Sequence, residues 1–127
     1  MKDGSAFFLP KGGEKLPHLH TVVIEANDRS GECIIVNITT VRKGSVKTLV
    51  LNAGDHPWLT HESCVRYDDA MVVTRQQLER AEKAGLLKWH HVPFPKPIFK
   101  AIQDHLMKSP YTPQDVKLKY LAWTKGT

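Results

Sequence analysis

Apolar residues in the first half of the chain fall in short runs broken by turn chemistry, and in the second half they switch to helical spacing. Residues 6–9 form an apolar run stopped by Pro10, and the Gly12-Gly13 pair makes residues 11–15 a flexible loop. Residues 19–25 hold Val22, Val23 and Ile24 and end in the turn cluster Asn27, Asp28, Arg29, Ser30, Gly31. The next run, residues 33–41, is β-branched at nearly every position (Ile34, Ile35, Val36, Ile38, Thr39, Thr40), and Lys43-Gly44-Ser45 turns it back into residues 46–51. Gly54 and Pro57 interrupt the pattern, after which residues 63–66 and 70–73 are the last short strand candidates. Five or six strands at this spacing predict a small antiparallel barrel over about residues 5–73.

Beyond residue 73 the period changes. Thr74 followed three residues later by Gln77 is a capping-box signature, and the good helix formers that follow run to a stop at Gly85, predicting a helix over 75–84. Pro93, Pro95 and Pro97 punctuate a connector. Ile98, Ile102 and Leu106, with Phe99 beside them, then form one apolar face against Lys100, Asp104 and Lys108, predicting a helix over 97–108. Thr112, Pro113 and Asp115 open a third helical piece with Val116, Tyr120 and Trp123 on one face. The expected fold is mainly β with a C-terminal α part: one domain spanning 1–127, with a barrel followed by two or three helices over about 74–123.

Composition narrows the classes. At 127 residues, 41% hydrophobic and 24% charged, the chain is long enough for one core and too well balanced to be disordered. No run approaches the roughly 18–20 apolar residues needed to cross a bilayer, and Met1, Lys2, Asp3 and Gly4 do not form a charged region leading into a long apolar run. A cytoplasmic protein without a membrane partner is expected. Cys33 and Cys64 are too few for a disulfide framework, which fits a reducing compartment. The net charge of +5 is uneven: residues 1–64 carry seven basic and seven acidic side chains, residues 65–127 eleven and six. Such asymmetry belongs either to a solvated basic helical face or to attraction for nucleic acid or an acidic partner.

The order of these features resembles the PemK/MazF-like toxin family. The resemblance covers about residues 4–107 and rests on three stretches. The first is Leu19-His20-Thr21-Val22-Val23-Ile24, and the second is Ile34-Ile35-Val36-Asn37-Ile38-Thr39-Thr40, a β-run ending in threonine. The third runs from Thr60-His61-Glu62-Ser63-Cys64-Val65 through Met71-Val72-Val73-Thr74 to Leu78. It implies an SH3-like barrel, a homodimer, an antitoxin protein as partner, and cleavage of single-stranded RNA with no cofactor. The family's β-run threonine carries over to Thr39, or to Thr40 if the register slips by one. Its arginine before the second strand has no counterpart among Pro17, His18, Leu19 and His20, and Met71 stands where the family has its other arginine.

Those departures move attention to histidine, which can take a proton from a ribose 2′-hydroxyl, stabilise charge on phosphorus, or protonate a leaving oxygen. The expected catalytic set is His20, Thr39 and His61. His18, Thr40, His56, Trp58 and Ser63 are expected to bind substrate, Trp58 by stacking on a base. Each has a plainer reading, in which the histidines hydrogen-bond turns and Trp58 caps the barrel end. Two other functions compete: a non-catalytic module that binds nucleic acid or protein through the same barrel, and a small zinc protein using His18, His20, His61 and Cys64. His90-His91 beside Trp89 reads as surface or interface, and Asp68-Asp69 as a solvated turn. The N-terminal Phe7, Phe8 and Leu9 are the apolar surface expected to support a twofold dimer.

Overall fold

Six successive positions of β2 (Pro17–Glu25) and six of β3 (Glu32–Thr40) are buried, so these strands lie in a sheet that is covered on both faces. The computed structural model describes residues 3–10, 17–45 and 47–125; the loop expected at residues 11–15 lies outside them. The remaining elements are β1 (Ala6–Pro10), β4 (Val50–Leu51), β5 (Ser63–Thr74), α1 (Arg75–Lys83), β6 (Lys88–Trp89), α2 (Lys96–Lys108) and α3 (Gln114–Thr124). The six strands form one sheet in the order β4-β5-β3-β2-β1-β6, and every neighbouring pair is antiparallel.

The mainly β architecture with a C-terminal α part is the one expected, but the barrel does not close. β4 and β6 are opposite edges of an open sheet. Closure would bury a concave face against itself, whereas here helices do the burying. Ile102 and Leu106 of α2 and Val116 and Trp123 of α3 join Leu19, Ile34, Val36, Ile38, Val65 and Tyr67 in one cluster. Leu78 of α1 joins Phe7, Val22, Cys33, Ile35 and Leu87 in a second. Directional bonds fix the C-terminal layer to the sheet: the Tyr67 hydroxyl donates to the Ile102 carbonyl at 2.8 Å, and the Asn27 amide donates to the Trp123 carbonyl at 2.9 Å. Burial pushes the Tyr67 phenol above its ordinary pKa, which keeps it a donor.

Other departures are local. The two strand candidates at 63–66 and 70–73 are one continuous strand, β5. Between the pairs Ile35–Met71 and Asn37–Arg66, β3 advances by two residues and β5 by five, so residues 67–70 form a wide bulge opposite Val36. Asp68 and Asp69 therefore sit beside Arg66, not on a solvated turn: Arg66 donates to both Asp68 oxygens at 2.9 and 2.7 Å, and Asp69 lies at 3.5 Å. Of the strand expected over 46–51, residue 46 lies outside the described residues and Val50–Leu51 are the part that is strand among the others, while β6, two residues paired with β1, has no periodic signal in so short a run.

The helix boundaries follow their punctuation. The Thr74 hydroxyl accepts from the Gln77 amide at 3.0 Å, and the Gln77 side chain accepts from the Thr74 N–H at 2.8 Å, completing the capping box. Gly85 ends α1 at φ 77°, where a side chain would be strained. In α3, Val116 and Trp123 are buried as their spacing predicts.

The apolar N-terminal strand is inside, not outside. Phe7 is fully buried, stacked on His20 at 5.1 Å and tilted against Trp89. Phe8 meets Trp58 edge-on and Leu9 packs against the second cluster, both half-buried, so Phe7 offers no surface to a second copy and the other two only part of theirs.

Candidate functional site

Alternate residues on a strand share a face, and so do cross-strand partners. The register pairs His20 with both Phe7 and Asn37, Leu9 with His18, Asn37 with Arg66, and Thr39 with Cys64. His18, His20, Asn37, Thr39, Cys64 and Arg66 consequently lie on one face, the face whose other half is filled by Val22, Cys33 and Ile35 beneath α1. With only nine residues, α1 covers one end of the sheet. Where that cover stops, the face changes from aliphatic to imidazole, amide, hydroxyl and guanidinium.

Over this polar end lies a cleft of about 400 Å³, lined by His18, Thr39, Thr40, Arg42, Ser45, Trp58 and Arg66, with Asn37 at its base. Trp58 is 46% exposed at the cleft, its ring in edge contact with Phe8. The Arg66 guanidinium is held firmly charged, first by its hydrogen bonds to Asp68 and then by the charges of Asp68 and Asp69. A second cavity, of about 420 Å³, shares Thr40 and Trp58 with the first and adds His61, Ser63 and Leu59. The Thr60 hydroxyl lies 3.0 Å from His61 Nδ1, and the Ser63 hydroxyl donates to the His61 carbonyl at 3.1 Å.

The expected site residues are thus divided. His18, Thr39, Thr40 and Trp58 line the first cleft, and Thr40, Trp58, His61 and Ser63 the second. His20, 7% exposed, donates from Nδ1 to the His18 carbonyl at 2.8 Å and lines a smaller cavity with Asn37, so His20, Thr39 and His61 do not share one cavity. His56 is fully buried: its Nε2–H donates to the Val92 carbonyl at 2.8 Å and its Nδ1 accepts from the Trp58 N–H at 3.1 Å. Both ring nitrogens are committed, which leaves no imidazole atom for substrate. Burial lowers the His56 pKa and keeps the ring neutral, and its ring packs against His90 and Phe94 at 4.7 and 4.8 Å. Its work is to hold the turn that presents Trp58.

Sequence reasoning passed over Asn37, Arg42 and Arg66. The signal for Asn37 is an amide inside an otherwise aliphatic β-run, and for Arg66 a cation two residues from a buried cysteine on the same strand face. Met71, expected in place of an arginine, is 51% exposed and pairs with Ile35; the guanidinium nearest Thr39 in the register belongs to Arg66, on the same strand. Among the described residues, no three His, Cys, Asp or Glu side chains converge in a way that could hold a metal ion. Cys64 is buried, and burial raises its thiol pKa above the ordinary value. No known family model matches the chain, and no curated protein matches it in sequence.

Proposed function

We propose that this protein acts on single-stranded RNA, as a PemK/MazF-like endoribonuclease that works without a metal. The observation that carries the reading is the cleft that brings His18, Thr39, Arg42 and Arg66 together beside the exposed Trp58. Trp58 is a stacking platform for an unpaired base, and stacking of this kind contributes about 1–3 kcal/mol per base. Arg42 and Arg66 face the phosphate, whose extra negative charge in the transition state is what fixed cations stabilise. The Thr39 hydroxyl positions a non-bridging oxygen. The His18 imidazole takes the 2′-hydroxyl proton as the 2′-oxygen bonds to phosphorus and the bond to the 5′-oxygen breaks. That 5′-oxygen collects a proton from the protonated imidazole or from water, leaving a 2′,3′-cyclic phosphate and a 5′-hydroxyl.

The test is incubation of a long single-stranded RNA with the purified protein in EDTA, followed by analysis of fragment ends. Cyclic phosphate ends and a loss of about 10²–10⁴ in rate for His18→Ala are expected. Cleavage only with added divalent metal, or undiminished cleavage by both His18→Ala and Thr39→Val, overturns the reading. The pairing of Arg66 with Asp68 and Asp69 offsets much of its charge and favours a second reading, in which the cleft binds RNA and does not cut it. Strong salt-dependent binding with intact RNA after prolonged incubation distinguishes that case.

A further inference from the structure

Adjoining the cleft is a separate cavity of about 220 Å³ between β1, β2, β3 and the bulge of β5, walled by Leu9, Pro10, Ile35 and Met71 with His20, Asn37 and Asp69 as its polar groups. Asn37 is 3% exposed, and neither its Nδ2 nor its Oδ1 has a hydrogen-bond partner. A buried amide with both ends unmade is costly in a folded protein and calls for an explanation. Asn37 also lines the cleft, so the two spaces meet at this one side chain.

The chemistry of the missing partner can be read from the walls. Aliphatic surfaces suit the faces of a flat ring, and a carboxamide presents a donor and an acceptor in one plane, which pairs with a ring edge carrying the reverse. The adjoining cleft holds Arg42 and Arg66, suited to an anion attached to that ring. We infer that this cavity is a nucleobase pocket that takes adenine in preference to uracil, with Asn37 reading its edge. The inference deepens the proposed action on RNA and rests on it for the identity of the polymer. Asparagine pairs in bidentate fashion with adenine, its Oδ1 accepting from the exocyclic amino group and its Nδ2 donating to the neighbouring ring nitrogen. The Asp69 carboxylate favours a base that brings an amino group and disfavours uracil, whose imide is flanked by carbonyl oxygens.

The experiment uses uncharged nucleosides, so that the pocket is read without the phosphate cleft. Adenosine and uridine are titrated to millimolar concentration into isotope-labelled protein, and the Asn37 side-chain amide and Met71 methyl resonances are followed by NMR. Adenosine is expected to shift both signals and to bind at least ten-fold more tightly than uridine. Asn37→Val, checked for folding by its spectrum, should abolish that preference. Met71→Lys, at an exposed position, puts an ammonium beside Asp69 and should weaken adenosine binding without disturbing the core. Equal shifts with the two nucleosides, no shifts at all, or adenosine binding unchanged in Asn37→Val overturns the inference. RNA cleavage by wild type with no preference for adenine, unaltered in Asn37→Val, sinks the pocket and leaves the proposed function standing. Adenosine binding that depends on Asn37, in a protein that neither binds nor cleaves RNA, does the reverse.

Discussion

Asn37→Val should make the protein more stable. The side chain sits in the middle of β3, where its backbone pairs with His20 on one side and Arg66 on the other, and those ladder positions survive the substitution. What changes is the carboxamide, whose two polar atoms are buried with no partner. Leaving such a group unsatisfied costs about 1–3 kcal/mol, and valine of similar size places methyl groups against Ile35 and Leu9 with a better β-propensity. No side-chain hydrogen bond is lost in exchange. A net gain of about 1–2 kcal/mol is expected, which for a domain of this length raises Tm by roughly 3–10 °C. Differential scanning calorimetry and urea unfolding at neutral pH measure it, with an unchanged denaturant slope confirming that the two proteins unfold alike. An unchanged or lowered midpoint at the same slope would refute the reasoning, because it would mean that the amide is satisfied in solution. Combined with loss of base recognition, a gain in stability is the signature of a residue kept for binding at the expense of folding.

Three further outcomes follow from the geometry. Thr74→Ala removes one half of the capping box at α1 and should lower stability by about 1 kcal/mol in urea unfolding, whereas a silent substitution would show that packing of Leu78 alone sets this helix. Burial holds His56 below the ordinary imidazole value of 6.5, so on acidification through that value the unfolded chain takes up a proton that the folded chain refuses. Its contribution is intact above that value and declines as pH falls toward the folded pKa, with a slope of up to about 1.4 kcal/mol per pH unit; His56→Gln should be less stable at high pH but show a flatter profile on the acid side, and parallel profiles would count against it. Burial also pushes the Cys33 thiol up to about 11, and Cys64 is buried and raised as well, so neither should react with a thiol reagent in the native protein near pH 8, and both should react on unfolding; rapid labelling of either under native conditions would contradict the burial.

Local chemistry was legible wherever a residue's role depends on its near neighbours in the chain. The Thr74–Gln77 box, the stop at Gly85 and the four-residue spacing of Ile98, Ile102 and Leu106 each specify backbone geometry within a turn or two, and the helices begin and end within two residues of those signals. The β-branched runs likewise announced β2 and β3. Only the fold could decide that the sheet stays open, because closure depends on whether the C-terminal helices or the opposite strands reach the apolar face first in space. The same holds for β6, whose two residues become a strand only because Phe7 and Phe8 lie alongside them. The site divides along the same line. Thr39, His18 and Trp58 carry chemistry recognisable by type, yet His56 looks like them in sequence and is committed to Val92 and Trp58 in the interior. Arg66 was overlooked for the converse reason: the cross-strand register of β3 and β5 brings it beside Asn37 and close to Thr39, and register is a property of paired strands that no single strand contains.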